Sequence, residues 1–260
     1  MALRIQSVGP ARGWHWLANG FALFARTPLV WVALVAVAAV AAFALSLLGR
    51  VGPLLLTLLV PGLMGGLLMG CRELESGGSL RVAHLAAGFL YRGARLVAVG
   101  GLYLVGTIVI GELMIMTGGG ALEQLLEAAA QPNPDPQRLQ ELLGAASPAV
   151  FSGMGLFLLL LMGTWYAPPL VVFHDLKVLE SVRLSLMGCF RNILPMLVYG
   201  AITYVVSGIA AMLLGAFGPL MLVPVLLPSS YTSYREIFID AGESQQAGPP
   251  SGGQGAGESG

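Results

Sequence analysis

Long apolar stretches without charged residues recur along the 260-residue chain. A membrane-spanning helix needs about 20 mainly apolar residues, because each residue advances about 1.5 Å through a hydrocarbon core of about 30 Å. Six windows meet or approach this length, so the pattern predicts an all-α, polytopic membrane protein with six transmembrane helices. The windows are residues 28–48, 52–71, 96–116, 148–173, 193–214 and 216–233.

The sixth window differs from the others because it is short and contains Pro219, Pro224 and Pro228. Proline lacks a backbone N–H and clashes with the preceding helical turn, so the carbonyls that it frees need partners in neighbouring helices. We therefore expect a kinked or partly unwound helix here.

Amphipathic segments precede the windows that start on the inner side, at residues 10–26, 79–93 and 175–190. The first carries aromatic and leucine side chains at helical spacing, namely Trp14, Leu17, Phe21 and Phe24. Because basic amphipathic helices of this kind lie in the headgroup plane, we predict interfacial helices that serve either as anchors or as lipid sensors. Their recurrence also predicts three repeated units, each an interfacial helix followed by a helical hairpin.

Basic residues fall mainly on one side of this arrangement. If the N-terminus is inside, eleven of the thirteen lysines and arginines lie in inward segments, and only Arg50 and Arg138 lie outside. Cytoplasmic connections carry such an excess, so both termini are predicted to be cytoplasmic.

The chain is predicted to form a single integral membrane domain over residues 1–240. Its sizeable outward connection, residues 117–147, is either a capping loop or a lid that gates a cavity. Residues 241–260 contain no aromatic residue and no aliphatic residue larger than alanine, which predicts a disordered cytoplasmic tail.

Composition excludes a soluble globular enzyme. Hydrophobic types make up 56 % of the chain and charged types 10 %, whereas soluble domains carry about 25 % charged residues. The formal net charge is zero, so the total charge shows no nucleic-acid footprint. The predicted partners are membrane lipids, with a homo-oligomer or another membrane protein as further alternatives.

A stripe of small residues marks the second window, where Gly62, Gly66 and Gly70 recur at every fourth position. Such a stripe lets another backbone approach closely. It serves either packing within the monomer or dimerisation.

The predicted spans contain little that could carry chemistry. Glu112 is the one acidic residue within the windows, near the outer end of the third. Ionisable residues inside the bilayer usually mark a proton or ion pathway, so a proton-coupled transporter is disfavoured. We find no catalytic, cofactor or metal-binding motif, and we therefore expect neither enzymatic activity nor a cofactor.

Polar motifs lie at the ends of the predicted helices. Asp175 is expected to cap the helix that follows it, and Asn192 lies just after that segment. Two adjacent pairs of opposite charge are predicted to form inner-face ion pairs, Arg72–Glu73 and Arg235–Glu236. These positions, together with Pro224 and Pro228, are expected to be structural rather than catalytic.

A set of short motifs over residues 10–240 resembles a group of uncharacterised bacterial inner-membrane proteins with six helices. The motifs are Asn19 to Pro28, Gly52-Pro53-Leu54, Ala167-Pro168 with Asp175, Ser185, Arg191-Asn192, and Tyr231 to Phe238. That group is distantly similar to the membrane domain attached to some bacterial glycerophosphodiester phosphodiesterases. Their hydrolytic barrel has no counterpart here, so the resemblance implies a stand-alone module of the bacterial inner membrane without assigned chemistry.

These observations favour a non-enzymatic membrane scaffold or lipid-associated module. The alternative is a transporter or permease for an apolar or zwitterionic small molecule or lipid. That alternative predicts a cavity along the sixth helix, lined by Pro224, Pro228, Ser229 and Ser230.

Overall fold

The computed structural model describes residues 3–215 and 217–240, and the predicted tail at 241–260 lies outside the described residues. Ten helices and two short strands follow one another along the described chain. They are β1 (Leu3–Ile5), α1 (Arg12–Arg26), α2 (Pro28–Ser46), α3 (Val51–Glu75), α4 (His84–Gly118), α5 (Ala121–Ala129), α6 (Pro136–Trp165), α7 (Ala167–His174), α8 (Val178–Arg191), α9 (Ile193–Leu214), α10 (Phe217–Ile237) and β2 (Phe238–Asp240).

Five stretches of the described chain are long and apolar enough to cross a membrane: α2, α3, α4, α6 together with α7, and α9. Only 6 % of the apolar window of α9 is buried inside the protein, so most of its side chains are left for contact with acyl chains. The sixth predicted window forms α10, which continues as a helix through Pro224 and Pro228 rather than unwinding. Its prolines and hydroxyl-bearing residues lower its mean hydropathy, so α10 is not among the five candidate membrane-spanning stretches.

Each amphipathic segment joins an apolar helix through one non-helical residue. Thr27 separates α1 from α2, with φ −146° and ψ 58°. Arg92 lies inside α4, with φ −141° and ψ 34°, and Asn192 separates α8 from α9, with φ −119° and ψ 33°. Because a single residue outside the helical region redirects the axis, no loop is needed between the two parts.

Glycines allow α3 and α4 to pack closely. A Cβ atom on Gly66 would lie 2.0 Å from the carbonyl oxygen of His84, and one on Gly88 would lie 2.1 Å from that of Gly62. A Cβ atom on Gly70 would lie 2.5 Å from the Leu80 side chain. The glycine stripe of α3 therefore contacts α4 and the residues before it in the same chain, where larger side chains would force the backbones apart.

The two strands bring the ends of the described chain together. β1 and β2 are antiparallel, with Leu3 opposite Asp240 and Ile5 opposite Phe238. The backbone N–H of Gln6 donates to the carbonyl oxygen of Ile237 at 2.8 Å, which continues the pairing. This three-residue ladder is an exception to the predicted all-α class, and it fixes the first and last described residues at the same end of the bundle.

Candidate functional site

A charged cleft of about 1070 Å³ lies beside the paired strands, between α1, α3, the end of α7 and α10. We call it the terminal cleft. Its polar lining comes from Arg12, Asn19, Arg26, Arg72, Glu75, Ser76, His174, Tyr231, Thr232, Tyr234, Arg235 and Glu236.

Helix α1 presents one polar face to the terminal cleft. Arg12, Asn19 and Arg26 are spaced seven residues apart, which is almost two helical turns, so they lie on the same side of the helix. A second face packs on the protein through four buried residues, Gly13, Trp16, Gly20 and Leu23. The apolar face predicted from the sequence is a third one, and Trp14 and Phe21 on it remain exposed.

Small residues explain why α1 docks by the second face. A Cβ atom on Gly13 would lie 2.4 Å from the carbonyl oxygen of Pro195 in α9, and one on Gly20 would lie 2.5 Å from the Ser229 backbone in α10. Glycine at both positions permits this approach. Hydrophobicity by itself does not distinguish a face that contacts protein from one that contacts lipid.

Glu236 joins α10 to α1 on one wall of the cleft. One carboxylate oxygen pairs with the Arg12 guanidinium, and the other accepts a hydrogen bond from the indole Nε1 of Trp16 at 2.6 Å. Trp16 is fully buried, and an indole N–H without a partner would be costly there. The Glu236 carboxylate therefore has both oxygens engaged in holding the fold.

Glu75 makes an equivalent junction between α3 and α10. One of its oxygens pairs with the Arg235 guanidinium, and the other accepts the Tyr231 hydroxyl at 2.9 Å. Both carboxylates of the cleft lining are thus occupied by partners within the protein.

The adjacent ion pairs predicted from the sequence do not form. Arg235 pairs with Glu75 and not with Glu236, whereas Glu73 pairs with Arg81 and with His84 Nε2, each at 2.9 Å. Consecutive residues of a helix do not face each other, so each charge finds a partner on another element or further along the chain.

Two arginines of the cleft lining, Arg26 and Arg72, have no carboxylate within ion-pair distance among the described residues. Arg26 donates from Nη1 to the carbonyl oxygen of Leu74 at 3.1 Å. The Arg72 guanidinium lies over the Phe173 ring, 5.3 Å from its centroid. Guanidinium groups outnumber carboxylates in the lining by four to two, which leaves an excess of positive charge.

Aromatic rings form a wall of the terminal cleft. Phe173 stacks on Tyr234 with ring centroids 5.6 Å apart, and its edge contacts Tyr231 at 6.3 Å. The Tyr234 hydroxyl is 2.6 Å from His174 Nε2. Stacked and edge-to-face ring pairs of this kind stabilise the wall.

A smaller opening of about 480 Å³, the side cleft, adjoins the terminal cleft. The two share Arg72, Ser76 and Phe173. The side cleft adds Met69, Val172, Tyr91 and Glu73 to its lining. Arg72 therefore lies on a wall common to the two openings.

Comparison with known proteins agrees with the apolar helices. The chain is 26 % identical over 256 residues to a protein of Burkholderia thailandensis described as a probable inner membrane protein, and the alignment covers 91 % of this chain and 94 % of the relative. The chain is a multi-pass membrane protein. No family model and no solved structure matches it, and nothing here supports the suggested link to glycerophosphodiester phosphodiesterase membrane domains.

Asp175 of this membrane protein does not cap α8, contrary to the sequence prediction. The N-cap position belongs to Lys177, which makes no side-chain capping bond. Asp175 ends α7 in the left-handed conformation, with φ 55°, and its carboxylate pairs with Arg95 and lies 2.7 Å from Arg92 Nε. Two guanidinium groups of α4 thus attract the carboxylate in place of the N–H groups of the following helix.

Asn192 holds the N-terminal segment against the break between α8 and α9. Its amide nitrogen donates to the carbonyl oxygens of Gln6 and Gly188, each at 2.9 Å. Its Oδ1 accepts from the backbone N–H of Val8 at 2.8 Å. The side chain is fully buried, so these bonds compensate for the water that the amide has lost.

Pro224, Pro228 and Ser229 are buried in α10, and Ser230 is half-buried. Ser229 is hydrogen bonded to the Tyr199 hydroxyl at 2.7 Å. Neither the terminal cleft nor the side cleft is lined by these residues, so the cavity expected for a permease is not one of these two openings.

Both cysteines are buried, and burial raises the pKa of the Cys189 thiol to about 12. The thiol therefore remains protonated at neutral pH and is a poor nucleophile. Among residues 3–215 and 217–240, no group of three or more His, Cys, Asp and Glu side chains is arranged to hold a metal ion.

Sequence reasoning missed most of the terminal cleft. It selected Arg235 and Glu236, named Arg72 only as the expected partner of Glu73, and used Arg12 and Arg26 only as basic residues of an inward segment. The seven-residue spacing of Arg12, Asn19 and Arg26 was the one signal in the sequence that could have placed them on a common face.

Proposed function

We propose that this protein is a non-enzymatic, lipid-associated module of the bacterial inner membrane, with six crossings and both termini in the cytoplasm. Three amphipathic segments with exposed apolar side chains carry the proposal: α1, the first part of α4, and α8. Exposed fractions of 57 % for Trp14, 86 % for Leu90 and 75 % for Leu179 would be unfavourable in water. The headgroup boundary of a bilayer accepts such side chains beside basic residues.

Contacts between the elements support placing all three segments at one end of the bundle. In α8, Gly188 packs so closely on the Phe238 ring that a Cβ atom would lie 2.5 Å from it. At the start of α4, His84 bonds to Glu73 near the end of α3. Helix α1 contacts the end of α10 through Glu236. The three amphipathic segments must lie at the same level along the bundle if all of them are to contact one membrane interface.

The strand pairing supports a sixth crossing. Because β1 is hydrogen bonded to β2, the first and last described residues lie at the same end of the bundle, which corresponds to one side of the proposed membrane. Five crossings would leave the two ends on opposite sides, so α10 supplies the sixth. The inward segments of this arrangement hold eleven of the thirteen basic residues, which supports a cytoplasmic location for both ends.

The three single-residue breaks support a repeated architecture. Thr27, Arg92 and Asn192 each lie between an amphipathic segment and an apolar helix. We infer that α1–α3, α4–α6 and α8–α10 are three units running in the same direction, which an axis along the membrane normal would relate.

We propose no reaction for the protein. The two carboxylates of the terminal cleft are held by Arg12 and Trp16 and by Arg235 and Tyr231, respectively. A carboxylate engaged on both oxygens is poorly placed to accept a proton from a substrate.

Native mass spectrometry of the protein released gently from its own membrane tests this function. We expect phospholipid to remain bound in recurrent, defined copies. Release without any lipid, whether alone or with a protein partner, would contradict a lipid-associated role. Retention of an apolar or zwitterionic metabolite in place of phospholipid would favour the permease alternative.

A further inference from the structure

We propose that the terminal cleft binds an anionic phosphate group through Arg26 and Arg72. This inference rests on the proposed lipid-associated function and names the site and the ligand chemistry. The phosphate belongs either to a lipid headgroup or to a small phosphate ester, since the same donors recognise both.

Charge pairing within the cleft singles out these two arginines. Glu236 is engaged by Arg12 and Trp16, and Glu75 is engaged by Arg235 and Tyr231. No carboxylate among the described residues lies within ion-pair distance of Arg26 or Arg72. The two guanidinium groups therefore contribute positive charge that the lining carboxylates do not neutralise, in a concave site where such charge attracts anions.

Both guanidinium groups are oriented but retain free donors. Arg26 is fixed by its bond from Nη1 to the Leu74 carbonyl, and Arg72 by its position over the Phe173 ring. A guanidinium has five N–H donors, so one hydrogen bond or a stacked face leaves an edge available. A planar edge of this kind matches the oxygens of a phosphate in a bidentate manner.

Neighbouring polar groups suit the same ligand. Asn19 lies on the face of α1 that carries Arg26, and its side chain also lines the cleft. Its amide supplies N–H donors for a phosphate or glycerol oxygen. The cleft is also at the upper end of the usual size range of ligand pockets, about 300–1,000 Å³.

The side cleft offers room for the apolar part of a lipid. Arg72 and Phe173 line both openings, and Met69 and Val172 line the side cleft. A ligand with a phosphate in the terminal cleft would therefore meet these apolar side chains beside Arg72. Glu73 also lines the side cleft, but its carboxylate is paired with Arg81 and His84.

Thermal stabilisation of the purified full-length protein in an uncharged detergent tests the site. The probes are dihexanoyl phosphatidylglycerol, glycerol phosphate and, as a zwitterionic lipid of zero net charge, dihexanoyl phosphatidylcholine. The variant Arg26→Gln/Arg72→Gln removes two charges from the cleft. The matched control Arg50→Gln/Arg138→Gln removes two charges from the outward connections.

We expect a saturable rise in Tm with an anionic probe in the wild type and in the control. In the cleft variant, the half-saturating concentration should increase at least about tenfold, since two charge-assisted contacts are lost. If Tm rises with phosphatidylglycerol but not with glycerol phosphate, the ligand is a lipid headgroup. If Tm rises equally with glycerol phosphate, the ligand is a small phosphate ester. The proposal would be overturned if phosphatidylcholine raised Tm as much as phosphatidylglycerol does. It would also be overturned if the cleft variant and the control variant responded equally to the anionic probe, or if no probe gave a saturable rise in Tm.

A single variant and a second measurement cover the case in which the double variant does not fold and separate the site from the general function. If the double variant does not fold, Arg72→Gln alone can be tested, because it preserves the contact of Arg26 with Leu74. This single variant should give a smaller loss of affinity for the anionic probe. Native mass spectrometry of the same variants separates this site from the general function. If the function holds and the site is wrong, the cleft variant retains the same lipids as the wild type; if the function is wrong, the wild type retains none.

Discussion

At the scale of single residues, Glu236 and Asn192 make side-chain contacts between parts of the chain that are far apart in sequence. Glu236 bonds to Trp16, which is 220 residues away in the chain, and Asn192 bonds to Gln6, which is 186 residues away. Both fasten the N-terminal part of the chain to later elements. Their role is structural, because each satisfies polar groups that are hidden from water.

Glu236→Ala should destabilise the protein by about 1–3 kcal/mol, because it leaves the buried Trp16 indole N–H without its acceptor. Glu236→Gln retains an acceptor oxygen but loses the charge, so its effect should be smaller. Unfolding in a denaturing detergent titration measures both. Glu127→Ala, at an exposed position of α5, is the control and should change stability by less than about 0.5 kcal/mol. Equal losses for the two Glu236 variants would argue that the charge, not the acceptor, matters.

Cys71 and Cys189 should resist a maleimide at pH 8 in the folded protein. Both side chains are buried, and the raised pKa of Cys189, about 12, leaves almost no thiolate at that pH. Both should react after denaturation, as measured by the mass of the labelled protein. Rapid labelling of the native protein would show that this packing opens.

At the scale of elements, the close packing of α3 on α4 depends on glycine, whereas Gly111 of α4 does not face a neighbour. Gly66 meets the His84 carbonyl, but a Cβ atom on Gly111 in α4 would have nothing within 4 Å. The effect of adding a methyl group to a glycine on the packing of the two helices therefore depends on where the glycine lies in the pair.

Gly66→Ala should lower stability by about 1–3 kcal/mol, because the added Cβ would force α3 and α4 apart. Gly111→Ala is the matched control and should be neutral or slightly stabilising, since alanine favours helix and the space is open. The unfolding midpoints of the two variants provide the comparison. Similar midpoints would show that α3 and α4 do not pack through this stripe.

At the scale of the whole molecule, the pairing of β1 with β2 has a consequence for topology. In the proposed topology this pairing requires an even number of crossings, so α10 supplies a crossing that its composition alone does not demand. Serine- and proline-rich α10 packs on α1, α9 and α3, so in that topology it does not face lipid on all sides.

Cysteine labelling in intact cells tests the topology. A membrane-impermeant maleimide should label Gln131→Cys in the outward connection. It should label Ser7→Cys, Ser79→Cys and Ser244→Cys only after the membrane is made permeable. The buried native cysteines give a low background. Opposite accessibility of the substitutions at Ser7 and Ser244 would contradict six crossings.

The sequence by itself determined the apolar helices, the amphipathic segments and the segments in which basic residues collect. These features follow from local composition, because a span, a headgroup helix and a positive loop are each recognisable within about 20 residues. The position of the glycine stripe was also readable, although its partner helix was not.

Only the tertiary structure decided which partner each arginine side chain contacts. Arg12 and Glu236 are 224 residues apart, and Arg26 and Leu74 are 48 apart, so no local pattern could pair them. It also decided which face of α1 is buried, since Gly13 and Gly20 allow closer approach than the more hydrophobic face with Trp14 and Phe21. Those choices also leave Arg26 and Arg72 in the lining of the terminal cleft without a carboxylate within ion-pair distance among the described residues.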